Sequence, residues 1–133
     1  MNIKIADRTL SLKANFSFKE KIEIARQLEK LSVSAIEIPV MENLKTDTLL
    51  VKTVAYFVKN GVLSLAAVPT KQGIDDAAAA LNSAAKARVR IELPVSTVGM
   101  EYNCHKKPDK MLKMIEELVS YAKTKINDVE FVA

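Results

Sequence analysis

Five short apolar runs alternate with longer stretches of helical periodicity, and this alternation limits the possible folds more than any other feature of the chain. Each run has the length of a strand and is rich in β-branched or aliphatic residues. Alternating strands and helices are typical of an α/β protein, in which right-handed crossovers bring the strands into one parallel sheet. The predicted strands are residues 3–6, 35–38, 62–68, 89–93 and 129–132.

Four helices are predicted between these strands. The first begins at a capping box, in which the Ser17 hydroxyl and the Glu20 carboxylate accept hydrogen bonds from backbone N–H groups. The second is predicted to stop at Asn60-Gly61, where Gly61 would take the left-handed conformation that commonly ends a helix. The remaining bounds are a start near Asp47 for the second helix, residues 74–87 for the third, and a start after Pro108 for the fourth.

The spacing of the units suggests a barrel. They repeat about every thirty residues, which is the length of one strand–helix unit in an eight-unit (β/α) barrel. The chain holds about four such units and a fifth strand, so we predict a partial TIM barrel with a parallel sheet, forming one domain over residues 1–133. Aromatic residues make up only 5% of the sequence. Aliphatic side chains must therefore fill the core, as they do around buried parallel strands.

Charge and cysteine content exclude several classes of protein. The 20 basic and 16 acidic residues give a net charge of +4, which supports only weak attraction to anions. The basic residues are scattered, apart from His105-Lys106-Lys107, so we expect no nucleic-acid partner. Cys104 is the single cysteine, which suits a reducing cytoplasm. We expect no membrane partner, because no apolar run approaches the roughly 20 residues that span a bilayer.

Candidate site residues follow the strands, because active groups of such folds gather at the carboxyl ends of the strands. We select Asp7, Thr9, Glu37 and Ser96 as candidates for binding a substrate, with a small-molecule acid as the possible ligand. For Asp7 the competing interpretation is that it caps a turn or pairs with Arg8.

Glutamates on apolar strands are unusual, and three of them occur here. Glu37 lies near the carboxyl end of the second strand, where it would face a ligand at the barrel mouth or pair with a basic residue inside the barrel. Glu92 and Glu130 occupy similar positions on the fourth and fifth strands. Three such residues indicate a polar interior or a shared ion-pair network, and we favour the network.

Two other groups of residues are less promising. Cys104 and His105 are adjacent, but a zinc site needs three or four ligands and the chain has no other histidine or cysteine. Adjacent side chains also rarely face each other as a catalytic dyad must. The segment 71–73 precedes the third helix, whose N-terminus suits an anion, but the acidic pair Asp75-Asp76 opposes one. We expect neither group to be catalytic.

A series of segments resembles a known family. In order along the chain these are Ile5-Ala6-Asp7-Arg8-Thr9-Leu10, residues 18–25, residues 35–39, Ser120-Tyr121-Ala122-Lys123 and Asp128-Val129-Glu130-Phe131. Together they are similar to the N-terminal half of the catalytic barrel of the homocitrate synthase, isopropylmalate synthase and hydroxymethylglutaryl-CoA lyase family. The resemblance implies a TIM barrel that uses a divalent metal to make or break carbon–carbon bonds beside an acyl-CoA and a 2-oxo acid.

The chain departs from that family at two functional positions. The family signature reads Asp-x-Thr-Leu-Arg-Asp-Gly-Glu-Gln, of which Asp7, Thr9 and Leu10 match. Ser11 stands where the family has the arginine that stabilises an enolate, and a hydroxyl cannot supply that fixed charge. Leu12 stands where the family has a metal-binding aspartate, and its side chain has no lone pair for a hard cation. The family's His-x-His metal motif would fall beyond residue 133. We therefore expect no bound metal and no cofactor.

The resemblance supports the fold and leaves enzymatic activity open. The favoured expectation is a truncated or degenerate relative of the Claisen-type acyltransferases that is inactive alone. One alternative is a noncatalytic binding or assembly module that associates with itself or with a C-terminal half-barrel partner, and another is a part of a longer protein. Residues 3–6 and 129–132 would form open sheet edges, and neither contains a proline to block pairing. The inward face of the sheet is expected to be apolar and to need cover.

Overall fold

The computed structural model describes residues 4–11, 16–93 and 108–132. In these residues the chain forms one sheet of five parallel strands in the order β1-β2-β3-β4-β5. A short 3-10 helix, Thr9–Ser11, follows the first strand. The strands are β1 (Ala6–Asp7), β2 (Ala35–Ile38), β3 (Val62–Ala67), β4 (Ala87–Glu92) and β5 (Val129–Val132), and the helices are α1 (Phe18–Lys30), α2 (Leu44–Phe57), α3 (Lys71–Ala80) and α4 (Pro108–Lys125).

The strand order confirms the predicted α/β fold and partial barrel. Each strand pairs with the one before it in the chain, with Ala35 opposite Val62 and Leu63 opposite Ala87. Right-handed crossovers between strands in sequential order place every connecting helix on the same face of the sheet. A doubly wound sheet reverses its strand order and carries helices on both faces, so the chain has the winding of a barrel.

The hydrophobic core lies between the sheet and its helices. Alternate strand residues point to this side, and they are almost completely buried: Ile36, Leu63, Leu65, Val89 and Ile91. Residues from the helices pack against them in the same cluster, including Val51, Val54, Ile74, Ala77, Met111 and Leu118. Because this side consists of aliphatic side chains from every unit, its packing holds the units in one body.

The start of α1 agrees with the sequence. The Glu20 N–H donates to the Ser17 hydroxyl at 3.2 Å, and the Ser17 N–H donates to the Glu20 carboxylate at 3.1 Å. This confirms the predicted capping box. The hydrogen bonds from Ser17 lower the pKa of the Glu20 carboxyl from its ordinary value.

Helix α2 begins at Leu44, before the predicted start near Asp47. Asn43 caps it by accepting a hydrogen bond from the Thr46 N–H at 3.2 Å. The Asp47 carboxylate in turn accepts the N–H groups of Glu42 and Asn43, at 2.8 and 3.0 Å. Asp47 therefore lies in the first turn and binds the backbone that precedes the helix. An acidic side chain in the first turn also interacts favourably with the helix dipole.

The predicted left-handed Gly61 is wrong, since neither Gly61 nor Gly73 has a positive φ angle. The chain leaves α2 in an extended conformation at Val58. The Glu29 carboxylate of α1 then accepts the N–H groups of Lys59, Asn60 and Gly61. A distant side chain thus satisfies the backbone that a left-handed glycine would otherwise satisfy locally.

Helix α3 spans Lys71–Ala80, not the predicted residues 74–87, and β4 already begins at Ala87. The Thr70 hydroxyl caps the helix by accepting the Gly73 N–H at 2.9 Å. Gly73 is required there for space, because a Cβ atom would overlap the Val68 backbone. The other edges shift slightly: pairing in the first strand covers Ala6–Asp7, and β3 ends at Ala67.

Helix α4 begins at Pro108, next to its predicted start. Proline suits the first helical position, because its missing N–H has no partner there. Among the residues that the structure describes, no helix has both the length and the apolar character needed to cross a bilayer.

Candidate functional site

The face of the sheet away from the helices is polar. Val89 and Ile91 of β4 point into the core, so Arg88, Arg90 and Glu92 point to the opposite face. The register places further polar residues on that face, namely Glu37, Ser64 and Glu130. The expectation of an apolar inward face is therefore wrong. The alternation of charged and aliphatic residues along β4 predicts a strand with one polar face.

Arg90 is the centre of a polar cluster near the carboxyl ends of the strands. Its side chain is only 3% exposed, yet its N–H groups find acceptors on three strands. Nη1 donates to the Ser64 carbonyl and hydroxyl, both at 3.0 Å, and Nη2 donates to the Ile38 carbonyl at 2.9 Å. Nε lies 3.4 Å from a Glu92 carboxylate oxygen. Arg90 therefore ties β2, β3 and β4 together, a role that sequence reasoning missed.

Glu37 belongs to the same cluster. One carboxylate oxygen lies 2.8 Å from the Arg8 Nε, and the other lies 3.9 Å from the Arg90 Nη1. The Glu37 side chain is 15% exposed. The ion-pair interpretation of this residue is confirmed, because it bridges two guanidinium groups. Its place at the strand ends keeps it a candidate for contact with a ligand.

Asp7 and Thr9 are brought together in a tight turn. An Asp7 carboxylate oxygen accepts the Thr9 N–H at 2.8 Å, which is the turn-capping role considered for this aspartate. The pairing of Asp7 with Arg8 is not observed, since the Arg8 Nε contacts Glu37 instead. The turn leads into the 3-10 helix, whose Leu10 is buried in the core. The candidate Ser96 lies outside the described residues, as do Leu12, Cys104 and His105.

A second ion-pair cluster lies near the amino ends of the strands. The Arg88 Nε contacts both carboxylate oxygens of Asp128 at 3.1 Å, and its Nη1 lies 3.5 Å from a Glu130 oxygen. The strand glutamates therefore form two clusters, each centred on an arginine of β4. The predicted network is confirmed for Glu37 and Glu92, which share Arg90, while Glu130 pairs separately.

A family model described as HMGL-like matches residues 3–133. The chain belongs to this family. It is 34% identical over 119 residues to the 2-isopropylmalate synthase 1 of Caldanaerobacter subterraneus subsp. tengcongensis, covering 90% of this chain and 30% of that protein. It is 39% identical over 115 residues to the 2-isopropylmalate synthase of Shouchella clausii, covering 86% of this chain and 22% of that protein. It is 34% identical over 136 residues to the 2-isopropylmalate synthase of Pyrococcus furiosus, covering 98% of this chain and 27% of that protein. The chain thus spans between a fifth and a third of the length of these relatives.

The residues of this HMGL-like chain do not fit the divalent metal of the family resemblance. Leu12 stands at the position of a metal-binding aspartate, and its side chain offers no donor atom. One carboxylate oxygen of Asp7 is bonded to the Thr9 N–H. Across residues 4–11, 16–93 and 108–132, no three His, Cys, Asp or Glu side chains converge on a metal-sized site. These described residues do not by themselves provide a complete set of metal ligands.

Proposed function

We propose that this chain is a degenerate HMGL-like protein that does not itself condense an acyl-CoA with a 2-oxo acid. The observation that carries the proposal is Ser11, which stands where the family signature has its enolate-stabilising arginine. Such a reaction builds negative charge on the enolate oxygen, and a fixed positive charge in a water-poor site is the usual way to stabilise it. A serine hydroxyl supplies no such charge.

The arginines on the polar face support this proposal, because each is already committed to an ion pair. The Arg90 guanidinium is buried and bonded to Ser64, Ile38 and Glu92. The Arg8 side chain is exposed, but its Nε lies 2.8 Å from Glu37. A guanidinium already paired with a carboxylate exerts a weaker field on a developing anion than an unpaired one.

A free-thiol assay with acetyl-CoA and several 2-oxo acids tests the proposal, with magnesium or manganese added. A full-length 2-isopropylmalate synthase serves as the positive control. We expect the native chain to release thiol no faster than a protein-free blank. Sustained turnover by the native chain would refute the proposal. Activity that emerges only in the Ser11→Arg, Leu12→Asp double variant would locate the loss of function at these two positions.

Two apolar helix flanks favour a second function, as an assembly module. The α1 flank is the side of α1 away from α2, where Phe16, Ile24 and Leu28 line a cavity of about 400 Å³. Helix α1 contacts α2 with its other side, through Arg26 stacked 5.1 Å from the centre of the Phe57 ring. Within the described residues no helix covers the α1 flank.

The α4 flank lies at the other end of the sheet. Helix α4 contacts α3 through Tyr121, whose hydroxyl donates to Asp75 at 2.7 Å. Helical spacing places Leu112, Ile115 and Val119 on the side away from α3, and Leu112 is 60% exposed. The two terminal strands are open as well, since β1 pairs only with β2 and β5 only with β4 in the described sheet.

We propose that a second copy of the chain meets these ends. A two-fold axis along the barrel axis would place β5 of each copy beside β1 of the other, keeping every strand parallel. The same arrangement would bring the α4 flank of one copy towards the α1 flank of its partner and remove apolar surface from water. The polar face supports this route, because the charged strand residues that the structure describes on it are already paired.

Light scattering at micromolar concentration tests the assembly proposal. We expect a dimer, and we expect Leu112→Glu to shift it towards monomer by placing a charge in the interface. Leu49→Glu is the matched control, because Leu49 is 57% exposed on the outer side of α2. A monomeric native chain, or equal behaviour of the two variants, would contradict association of two copies. A monomer that binds a separate half-barrel with the α4 flank intact would identify that partner instead.

A further inference from the structure

A cavity of about 350 Å³ opens at the amino ends of the strands, at the opposite end of the sheet from the Arg90 cluster. Its floor consists of small and branched apolar residues from β1, β2 and β3. Five polar residues complete the lining, and none of them carries a negative charge: Lys4, Ser34, Asn60, Lys86 and Arg88. Ligands of barrel enzymes bind at the carboxyl ends of the strands, so this cavity is separate from the candidate site above.

The polar groups around this amino-end cavity retain hydrogen-bond donors. Lys86 gives one N–H to the Asn60 carbonyl at 3.1 Å, which leaves two. The Ser34 hydroxyl oxygen accepts the Ile5 N–H at 3.1 Å, so its own hydrogen remains available to a ligand. Lys4 has no ion pair or hydrogen bond among the described residues. Donors that surround a small space without a matching acceptor suit a ligand with several oxygen atoms.

Arg88 lines the cavity and pairs with two acids that do not line it. The Asp128 carboxylate accepts a hydrogen bond from Nε, and a Glu130 oxygen lies near Nη1. Nη2 has no acceptor among the described residues. These two acids offset the charge of Arg88 and fix its planar group. The Glu29 carboxylate acts on Lys86 from outside the cavity, where it also accepts three backbone N–H groups.

Lys4 has no acidic partner among the described residues, and the acids beside Lys86 and Arg88 do not line the cavity. Cations near one another repel, and a bound anion removes this repulsion while gaining charge-assisted hydrogen bonds. We propose that the amino-end cavity binds a compact multivalent anion, either a phosphate group or a small di- or tricarboxylate. A cavity of about 350 Å³ is at the lower end of the range for small-ligand sites, which suits a compact ion.

Titration calorimetry at low ionic strength tests the site, with inorganic phosphate in one arm and citrate in the other. We expect saturable binding of at least one probe, and the tighter one identifies the ligand class. Lys86→Gln should weaken binding roughly tenfold, as expected for one charge-assisted hydrogen bond. Lys4→Gln should weaken it in the same direction, and it provides an independent variant if Lys86→Gln perturbs folding.

Lys113→Gln is the control for this experiment, because it removes one exposed positive charge from α4, away from the cavity. It should leave the affinity unchanged. If Lys113→Gln weakened anion binding as much as Lys86→Gln, the anion would be attracted to the overall charge of the protein, and the proposed site would be refuted. Lack of saturable binding of both probes by the native chain would overturn it as well.

Discussion

On one face of the sheet Leu65 and Ile91 are fully buried against helices, and on the other face Arg90, next to Ile91 in sequence, is buried almost as completely. Leu65 and Ile91 need only neighbours of suitable shape, because dispersion and loss of apolar surface do not depend on direction. Arg90 needs acceptors at particular places, and Ser64, Ile38 and Glu92 supply them.

The two faces should therefore respond differently to substitution. On the aliphatic side, exchanging one hydrophobic residue for another of similar volume costs little stability. Removing a buried charge leaves its partners uncompensated, and the resulting loss of stability is large. We therefore expect the helix side to supply most of the stability and the polar side to fix how the strands align.

Removing the centre of the polar face should have the largest effect. Arg90→Ala leaves Glu37 and Glu92 without their shared cation, and we expect unfolding free energy to fall by about 3–5 kcal/mol. Denaturant unfolding measures this change. Arg90→Lys keeps the charge but cannot reach acceptors on three strands, so it should also destabilise. A Lys variant as stable as the native chain would show that the hydrogen-bond geometry contributes little.

A cavity on the helix side should have the next largest effect. Leu65 is fully buried in the core, and Leu65→Ala should cost about 2–5 kcal/mol in the same measurement. Leu65→Met keeps the volume and should cost less than about 1.5 kcal/mol. If Leu65→Met proved as damaging as Arg90→Lys, the proposed contrast between the two faces would be lost.

The cap of α1 lies outside both faces and should contribute less. Ser17→Ala removes the bond from the Glu20 N–H and should lower the unfolding free energy by about 1 kcal/mol. Ser17→Thr, which keeps a capping hydroxyl, is the control. An unchanged denaturation midpoint in Ser17→Ala would mean that this cap does not stabilise the protein.

The smallest expected effect concerns pH. Burial raises the pKa of the Glu29 carboxyl, but hydrogen bonds from the N–H groups of Asn60, Lys59 and Gly61, with the charge of Lys86, outweigh it and bring the pKa below its ordinary value of 4.5. A pKa that is lower in the folded state stabilises the fold above the ordinary value, and this contribution is lost as pH falls through the folded-state value.

Unfolding midpoints measured from neutral pH down to about pH 3 test this dependence. The native chain should lose more stability below pH 4.5 than Glu29→Gln does. Glu23→Gln, on the exposed side of the same helix, should follow the native curve. Parallel curves for the native chain and Glu29→Gln would contradict a role for this carboxylate.

Local signals in the sequence predict much of this structure. The order of strands and helices, the capping box at Ser17 and the network around Glu37 all follow from residue spacing or from charge on an apolar strand. The predicted end of α3 is too late, because Ala84, Ala85 and Ala87 suit a helix, but Asn82 and Ser83, which favour a turn, follow the end at Ala80. Gly61 could not be predicted from nearby residues, since its partner, Glu29, is distant in sequence.

The candidate site shows the same limit. The sequence allows Asp7 to be either a ligand-binding group or a turn cap; in the structure it accepts the Thr9 N–H, while Arg8 contacts Glu37. Sequence reasoning misses Arg90, because a strand arginine is ordinarily assumed to reach solvent. Its burial requires three strands in register, and no single segment of the sequence contains that information.

The sequential strand order has a consequence for how the chain forms. Each strand finds its partner in the strand made just before it, at a separation of one strand–helix unit. Loops of this length close at modest entropic cost, and native contacts at short sequence separation speed folding. A ribosome releases the chain from its N-terminus. Each new unit can therefore dock on structure that already exists, so the sheet can grow during synthesis one strand at a time.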